Sequence, residues 1–84
     1  MNRILYFSTV WCGPCKAFKP LVNESISETG INVEYIDADA SRDLAMKYGI
    51  SSVPTMIVVD PNGNIIRRHS GVMAKPQLLK FMAK

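Results

Sequence analysis

An α/β domain in the order β-α-β-α-β-β-α is what the sequence predicts, and three observations carry it. Short runs of apolar, β-branched and aromatic residues recur at Arg3–Ser8, Ile31–Ile36, Thr55–Asp60 and Asn64–His69. Runs of that length between turn residues read as strands. Between the first two runs lies a helical pattern, with Phe18, Leu21, Val22 and Ile26 spaced by three and four. Between the last two lies Asp60-Pro61-Asn62-Gly63-Asn64, a hairpin turn in which Asn-Gly supplies positive φ cheaply. A helical crossover joins parallel strands and a tight hairpin joins antiparallel ones. The four-stranded sheet is therefore mixed, with helices on both faces.

Taken in order, Arg3–Ser8 reads as a strand buried on both faces, because Ile4 to Phe7 show no polar alternation. Ser8-Thr9-Val10 leads into Trp11-Cys12-Gly13-Pro14-Cys15-Lys16. Pro14 suits the first turn of a helix, where its missing N–H is not needed. That helix runs to about Thr29 and stops at Gly30, with Pro20 inside it to kink it. Asp37-Ala38-Asp39-Ala40 is a turn. Ser41 is the expected N-cap of a short helix with Leu44, Ala45 and Tyr48 as its apolar stripe, ended by Gly49. Pro76 opens a last helix that buries Leu78, Leu79 and Met82.

Eighty-four residues make a single domain, residues 1–84, near the lower end of what folds alone. A hydrophobic content of 48% suffices for a small core. No apolar run is long enough to span a membrane. The apolar stretch after Met1-Asn2-Arg3 is too short for a secretory leader, so a cytoplasmic protein is expected. The net charge of +3 is unevenly placed: after Asp60 come Arg67, Arg68, Lys75, Lys80 and Lys84 and no acid. A basic third can meet nucleic acid or an acidic partner. The simpler reading is that Arg67 and Arg68 guard an edge strand against aggregation while the helix lysines form a solvated face. No specific nucleic-acid partner is expected.

Cys12 and Cys15 are the only cysteines, and they sit where a strand ends and a helix begins. The first turn of a helix offers unpaired N–H groups and the positive end of the dipole, both of which favour an anion. Cys12 at the cap is placed to become a thiolate, and Cys15 lies on the same side of the first turn, within disulfide reach. Three readings compete. A structural disulfide here closes so short a loop that it stabilises by only about 2 kcal/mol. Structural zinc wants four ligands, and beyond the two cysteines the chain offers one distant His69. The third is a reversible redox pair, with no metal and no cofactor beyond the Cys12–Cys15 disulfide.

Trp11-Cys12-Gly13-Pro14-Cys15-Lys16 resembles the active-site motif of thioredoxins, and Pro20, five residues after the second cysteine, fits the same pattern. The resemblance covers nearly the whole chain and implies the minimal thioredoxin fold, with strands ordered second-first-third-fourth and without the extra N-terminal strand and helix of longer members. It implies a dithiol–disulfide oxidoreductase that reduces protein disulfides, with Cys12 as the exposed nucleophile and Cys15 resolving. Trp11, Gly13 and Pro14 become the active-site loop, Trp11 as an apolar platform beside the sulfurs. Val53-Pro54 becomes a cis-proline step whose Val53 backbone pairs with an extended substrate. Gly71 becomes a small residue that admits the substrate backbone. Implied partners are disulfide-containing proteins and a recycling reductase, with the protein acting as a monomer. A free thiol is only about 3% ionised at pH 7, and a pKa of about 7, the figure known for thioredoxin, makes roughly half reactive.

One departure stands out. Thioredoxins usually carry a buried Asp six residues before the first cysteine, where this chain has Tyr6, and a nearby Lys for which Tyr35 is the match by spacing. The usual proton acceptor for the second cysteine is therefore replaced. Two alternatives remain at this stage. A glutaredoxin-like, glutathione-recycled protein is disfavoured by the absence of a Gly-Gly pair after the third strand. A redox-independent binding module is disfavoured by the intact motif.

Overall fold

The computed structural model describes residues 1–83. Its elements are β1 (Arg3–Ser8), α1 (Gly13–Thr29), β2 (Asn32–Asp37), α2 (Arg42–Lys47), β3 (Thr55–Val59), β4 (Ile65–Ser70) and α3 (Lys75–Met82). The sheet order is β2-β1-β3-β4, with β1 parallel to β2 and the other pairs antiparallel. Every expected element forms, and the fold is the one the sequence implied.

The central strand β1 separates two clusters of buried side chains. Ile4 and Tyr6 point into one, shared with Phe18 and Val22 of α1 and with Leu78 and Met82 of α3. Leu5 and Phe7 point into the other, shared with Ile57, Val59 and Tyr48. This is the period-2 alternation of a strand whose two faces are both covered. Lys75 Nζ, 2.6 Å from Glu24 and 2.7 Å from Glu28, clips α3 to α1. Pro20 lies within α1, and Gly30 caps it with φ 72°.

Several local details differ from the sequence reading. Ser41 occupies the N-cap of α2, but its hydroxyl makes no cap bond. The preceding turn is held instead by Asp37, whose Oδ1 accepts the N–H groups of Asp39 and Ala40 at 2.9 and 3.2 Å. In the hairpin only Gly63, φ 86°, has positive φ. Asn62 is spared because Asp60 organises the loop: its Oδ1 accepts the Asn62 and Asn64 N–H groups, each at 2.9 Å. A register shift follows between Val58 and Val59. Helix α3 begins at Lys75, with Pro76 in its first turn. Leu79 is half-buried at the helix edge, and Phe81 packs against the core in its place.

Arg67 and Arg68 lie on an edge strand as expected, β4 standing at the end of the sheet, but they do more than guard it. Arg67 Nη2 donates to the Phe81 and Ala83 carbonyls at 2.8 and 2.7 Å. Arg68 Nη2 donates to the Tyr48 carbonyl at 2.5 Å. Both satisfy carbonyls at helix C-termini that have no intrahelical partner and attract cations. They are structural ties as well as edge charges. Arg67→Ala should therefore lower the melting temperature by about 10 °C, corresponding to about 2 kcal/mol for two charged hydrogen bonds. Disulfide reduction measured well below that temperature should stay within about twofold of the parent, since the ties lie outside the cysteine site. A melting curve that overlays the parent's would show that the ties contribute nothing.

Candidate active site

The site is built at the C-terminal end of β1. The chain leaves the strand at Ser8, turns through a Cys12 N–H to Thr9 carbonyl bond of 3.3 Å, and enters α1 with Cys12 at the N-cap. Pro14 falls in the first turn, where the helix needs no N–H from it. Cys12 and Cys15 form a disulfide, their Cα atoms 5.3 Å apart. The Cys15 N–H donates to Cys12 Sγ at 3.1 Å. One of the orphan donors of the helix thus already points at the Cys12 sulfur.

The expectation of an exposed Cys12 is corrected here. Cys12 is 4% and Cys15 3% exposed, so accessibility does not separate them. In the oxidised pair the first sulfur lies over the helix end, within hydrogen-bond distance of the Cys15 amide. The difference lies in electrostatics: Cys12 sits at the cap and receives the hydrogen bond, whereas Cys15 lies inside the first turn.

Two loops flank the sulfurs' end of the sheet. The Val53–Pro54 bond is cis, as expected. Thr55 Oγ1 donates to the Ser52 carbonyl at 2.8 Å and holds this loop. Among the described residues neither the N–H nor the carbonyl of Val53 takes part in a hydrogen bond. Gly71, φ 93°, donates its N–H to the Pro54 carbonyl at 2.7 Å, so the third loop is tied to the proline loop. A side chain at that φ would be strained, which is why glycine stands there. Gly13 and Pro14 are exposed. Trp11 is 69% exposed and so is not a core residue, and its Nε1 donates to Asp39 Oδ2 at 2.8 Å. The sequence reading did not foresee that partner, which becomes visible only when the β2–α2 turn is brought beside the cysteine loop. Lys16 is exposed.

Beneath the pair lies Tyr6, 1% exposed, whose hydroxyl donates to the Cys15 carbonyl at 3.1 Å. Tyr35 is its direct partner across β1 and β2, with ring centroids 5.3 Å apart in an edge-to-face arrangement. The Tyr35 hydroxyl donates to Asn23 Oδ1, and Lys19 Nζ lies 4.7 Å from the Tyr35 ring centroid. Burial, and then the neighbouring Tyr35, push the Tyr6 phenol up to about 12. Tyr6 is therefore a neutral donor at any physiological pH. Among the described residues no group of three or more His, Cys, Asp or Glu side chains could hold a metal. No described helix is long and apolar enough to cross a membrane.

A disulfide closed across the N-cap of a helix, at the end of a central strand and beside a cis-proline loop, makes this a dithiol–disulfide oxidoreductase. The family model described as Thioredoxin matches residues 2–84. The chain belongs to the thioredoxin family, and its activity is that of a protein-disulfide oxidoreductase. Thioredoxin of Bacillus subtilis is 34% identical over 80 residues, covering 93% of this chain and 76% of that protein. Probable thioredoxin-2 of Caenorhabditis elegans is 38% identical over 81 residues, covering 94% of this chain but 55% of that one. A solved mutant thioredoxin from Halobacterium salinarum superposes with a TM-score of 0.88 at 28% identity, covering 96% of this chain and 71% of that chain. Oxidised mitochondrial thioredoxin 3 of Saccharomyces cerevisiae gives 0.86 at 26% identity, covering 96% and 76%.

Proposed function

We propose that the protein acts as a general reductant of protein disulfides, with Cys12 attacking and Cys15 resolving. The observation that carries this assignment is the 3.1 Å hydrogen bond from the Cys15 amide to the Cys12 sulfur at the helix cap. That donor and the helix dipole stabilise a thiolate at Cys12 once the pair is reduced. The Cys12 thiolate attacks one sulfur of a substrate disulfide, forming a mixed disulfide and releasing the other sulfur as a thiolate. Cys15, once deprotonated, attacks the Cys12 sulfur and releases the second substrate thiolate. Two electrons pass to the substrate, and the Cys12–Cys15 disulfide is regenerated. Lowering a thiol pKa from about 8.5 to about 7 requires about 2 kcal/mol, within reach of a helix terminus plus one amide. The resolving step is intramolecular and needs no second encounter.

Val53, with its backbone N–H and carbonyl free among the described residues, supports strand-like pairing with an extended substrate. Gly71 beside it leaves room for the substrate backbone, and Trp11, Gly13 and Pro14 form the rim. Such pairing ignores side-chain identity, as a general reductant requires. The oxidised pair is recycled by a thioredoxin-reductase-like partner, and the protein serves as a monomeric electron carrier in the cytoplasm, where thiols are kept reduced. The test is turnover of a disulfide-bonded protein by the parent and by the Cys12→Ser, Cys15→Ser double variant, each with dithiothreitol as the recycling reductant. The parent should accelerate reduction and the double variant should match the dithiothreitol background. Acceleration by the variant would mean that the fold works as a binding module without redox chemistry.

A further inference from the structure

From the substrate-binding residues Trp11 and Val53 a groove of about 520 Å³ runs away from the disulfide, lined by neither cysteine. It starts between Trp11 and Val53 and extends along α2 to Arg42 and Met46. Its floor is apolar, made by Ala38, Ala45 and Ile50. Arg42 and Met46 are one helical turn apart, so both lie on the same side of α2. Met46 is 78% exposed, an apolar side chain left without a neighbour to cover it. Arg42 is exposed, and among the described residues it has no ion-pair partner. Asp39 is the one acid lining the groove; its Oδ2 accepts the Trp11 Nε1–H, which holds the carboxylate at the Trp11 end without removing its charge. In the wall Thr9 is 7% exposed, and its hydroxyl has no hydrogen-bond partner among the described residues. An orphaned buried hydroxyl marks a place where a polar partner is missing.

We infer that Arg42 gives the protein a substrate preference, for disulfides whose reacting cysteine has a carboxylate side chain within a few residues of it. The inference rests on the reading of Val53 as a strand-pairing edge. A segment paired there advances about 3.3 Å per residue. It passes over the apolar floor and beneath Met46 toward a guanidinium with no partner. That guanidinium offers a fork of donors matched to a carboxylate. A lysine-bearing segment meets the same cation with the sign reversed. The contact lies away from the reacting sulfurs, so it forms equally in the bound substrate and in the transition state. Its effect therefore falls on KM and leaves kcat alone.

Disulfide peptides of one sequence, carrying Glu, Gln or Lys before or after the cysteine, provide the test on the full chain at low salt. The Glu peptide should show a KM about fivefold below the Lys peptide at equal kcat, the difference shrinking at high salt. Arg42→Gln should abolish the difference and Arg42→Glu should reverse it. Lys80→Gln, which removes the same charge from α3, should leave it in place. Equal KM values in the parent overturn the inference. So does a preference that Lys80→Gln erases as fully as Arg42→Gln, because net charge would then be its cause. A parent that reduces none of the peptides overturns the reading of the site itself, and the inference with it.

Discussion

The Cys15→Ser protein should accumulate as a covalent complex with a disulfide-bonded substrate, and the Cys12→Ser protein should not. Both cysteines are buried to the same degree in the oxidised molecule, so accessibility predicts equal trapping. Electrostatics predicts otherwise. Cys12 receives the Cys15 amide and faces the positive end of α1, whereas Cys15 is enclosed by the first turn. Without Cys15 the mixed disulfide has no internal thiol to break it, and its lifetime becomes that of attack by external thiols. Non-reducing electrophoresis of each variant with a substrate protein reads this directly. The complex should carry most of the Cys15→Ser protein and little of the Cys12→Ser protein. Equal trapping by the two would remove the assignment of nucleophile and resolver.

The oxidised Tyr6→Asp protein should melt about 20 °C below the parent and lose the pH dependence of the resolving step. Tyr6 fills the core beneath the pair, packed against Tyr35 and hydrogen-bonded to the Cys15 carbonyl. Its replacement leaves a cavity and puts a carboxyl group in an apolar site, together costing about 4 kcal/mol. The carboxyl stays near Cys15 with a raised pKa, able to accept a proton as the thiol attacks. In the parent Tyr6 cannot do so, because its phenol is held up to about 12. Cys15 must then lose its proton to water or to the departing thiolate, and resolution accelerates with pH up to the thiol's own pKa. Single-turnover resolution from about pH 6 to pH 9, around the reference thiol pKa, separates the two cases. Tyr6→Phe is the control: it keeps the packing, loses about 1 kcal/mol with the hydroxyl's bond, and keeps the parent's pH profile. The same variant isolates an alkaline effect. The phenol pKa is raised on folding, so its contribution is complete below pH 10 and is lost as pH climbs toward 12. The parent should lose about 2–3 kcal/mol across that interval that Tyr6→Phe does not lose. If Tyr6→Asp melts with the parent and their rate profiles coincide, position 6 is not the proton-acceptor site.

Strand and helix limits agree with the sequence reading to within a residue or two, because periodicity and turn residues are local signals. That Tyr6 and Tyr35 replace neighbouring family residues was also legible, Tyr6 from its place six residues before Cys12 and Tyr35 from its place two residues before the Asp37 turn, and the two are register partners. Contacts between a side chain and a distant backbone or side-chain group were not legible. Nothing in Arg67-Arg68 reveals that one reaches the end of α3 and the other the end of α2, since that depends on how the helices lie over the sheet. Nothing near Trp11 announces Asp39, which is 28 positions away. A cap position reads as exposed, yet Cys12 is buried as deeply as Cys15, and position along the helix does not reveal that.

The adjacent arginines of β4 point to opposite faces, as neighbouring strand residues must. One reaches the α3 layer and the other the α2 layer. Those layers share no core, because the sheet lies between them. An edge strand, ordinarily the first to fray, here holds the ends of helices on both sides. Opening β4 would loosen both layers in one event, and neither helix end could be released through the arginines without disturbing the strand. The margin of the sheet thereby becomes a seat of folding cooperativity.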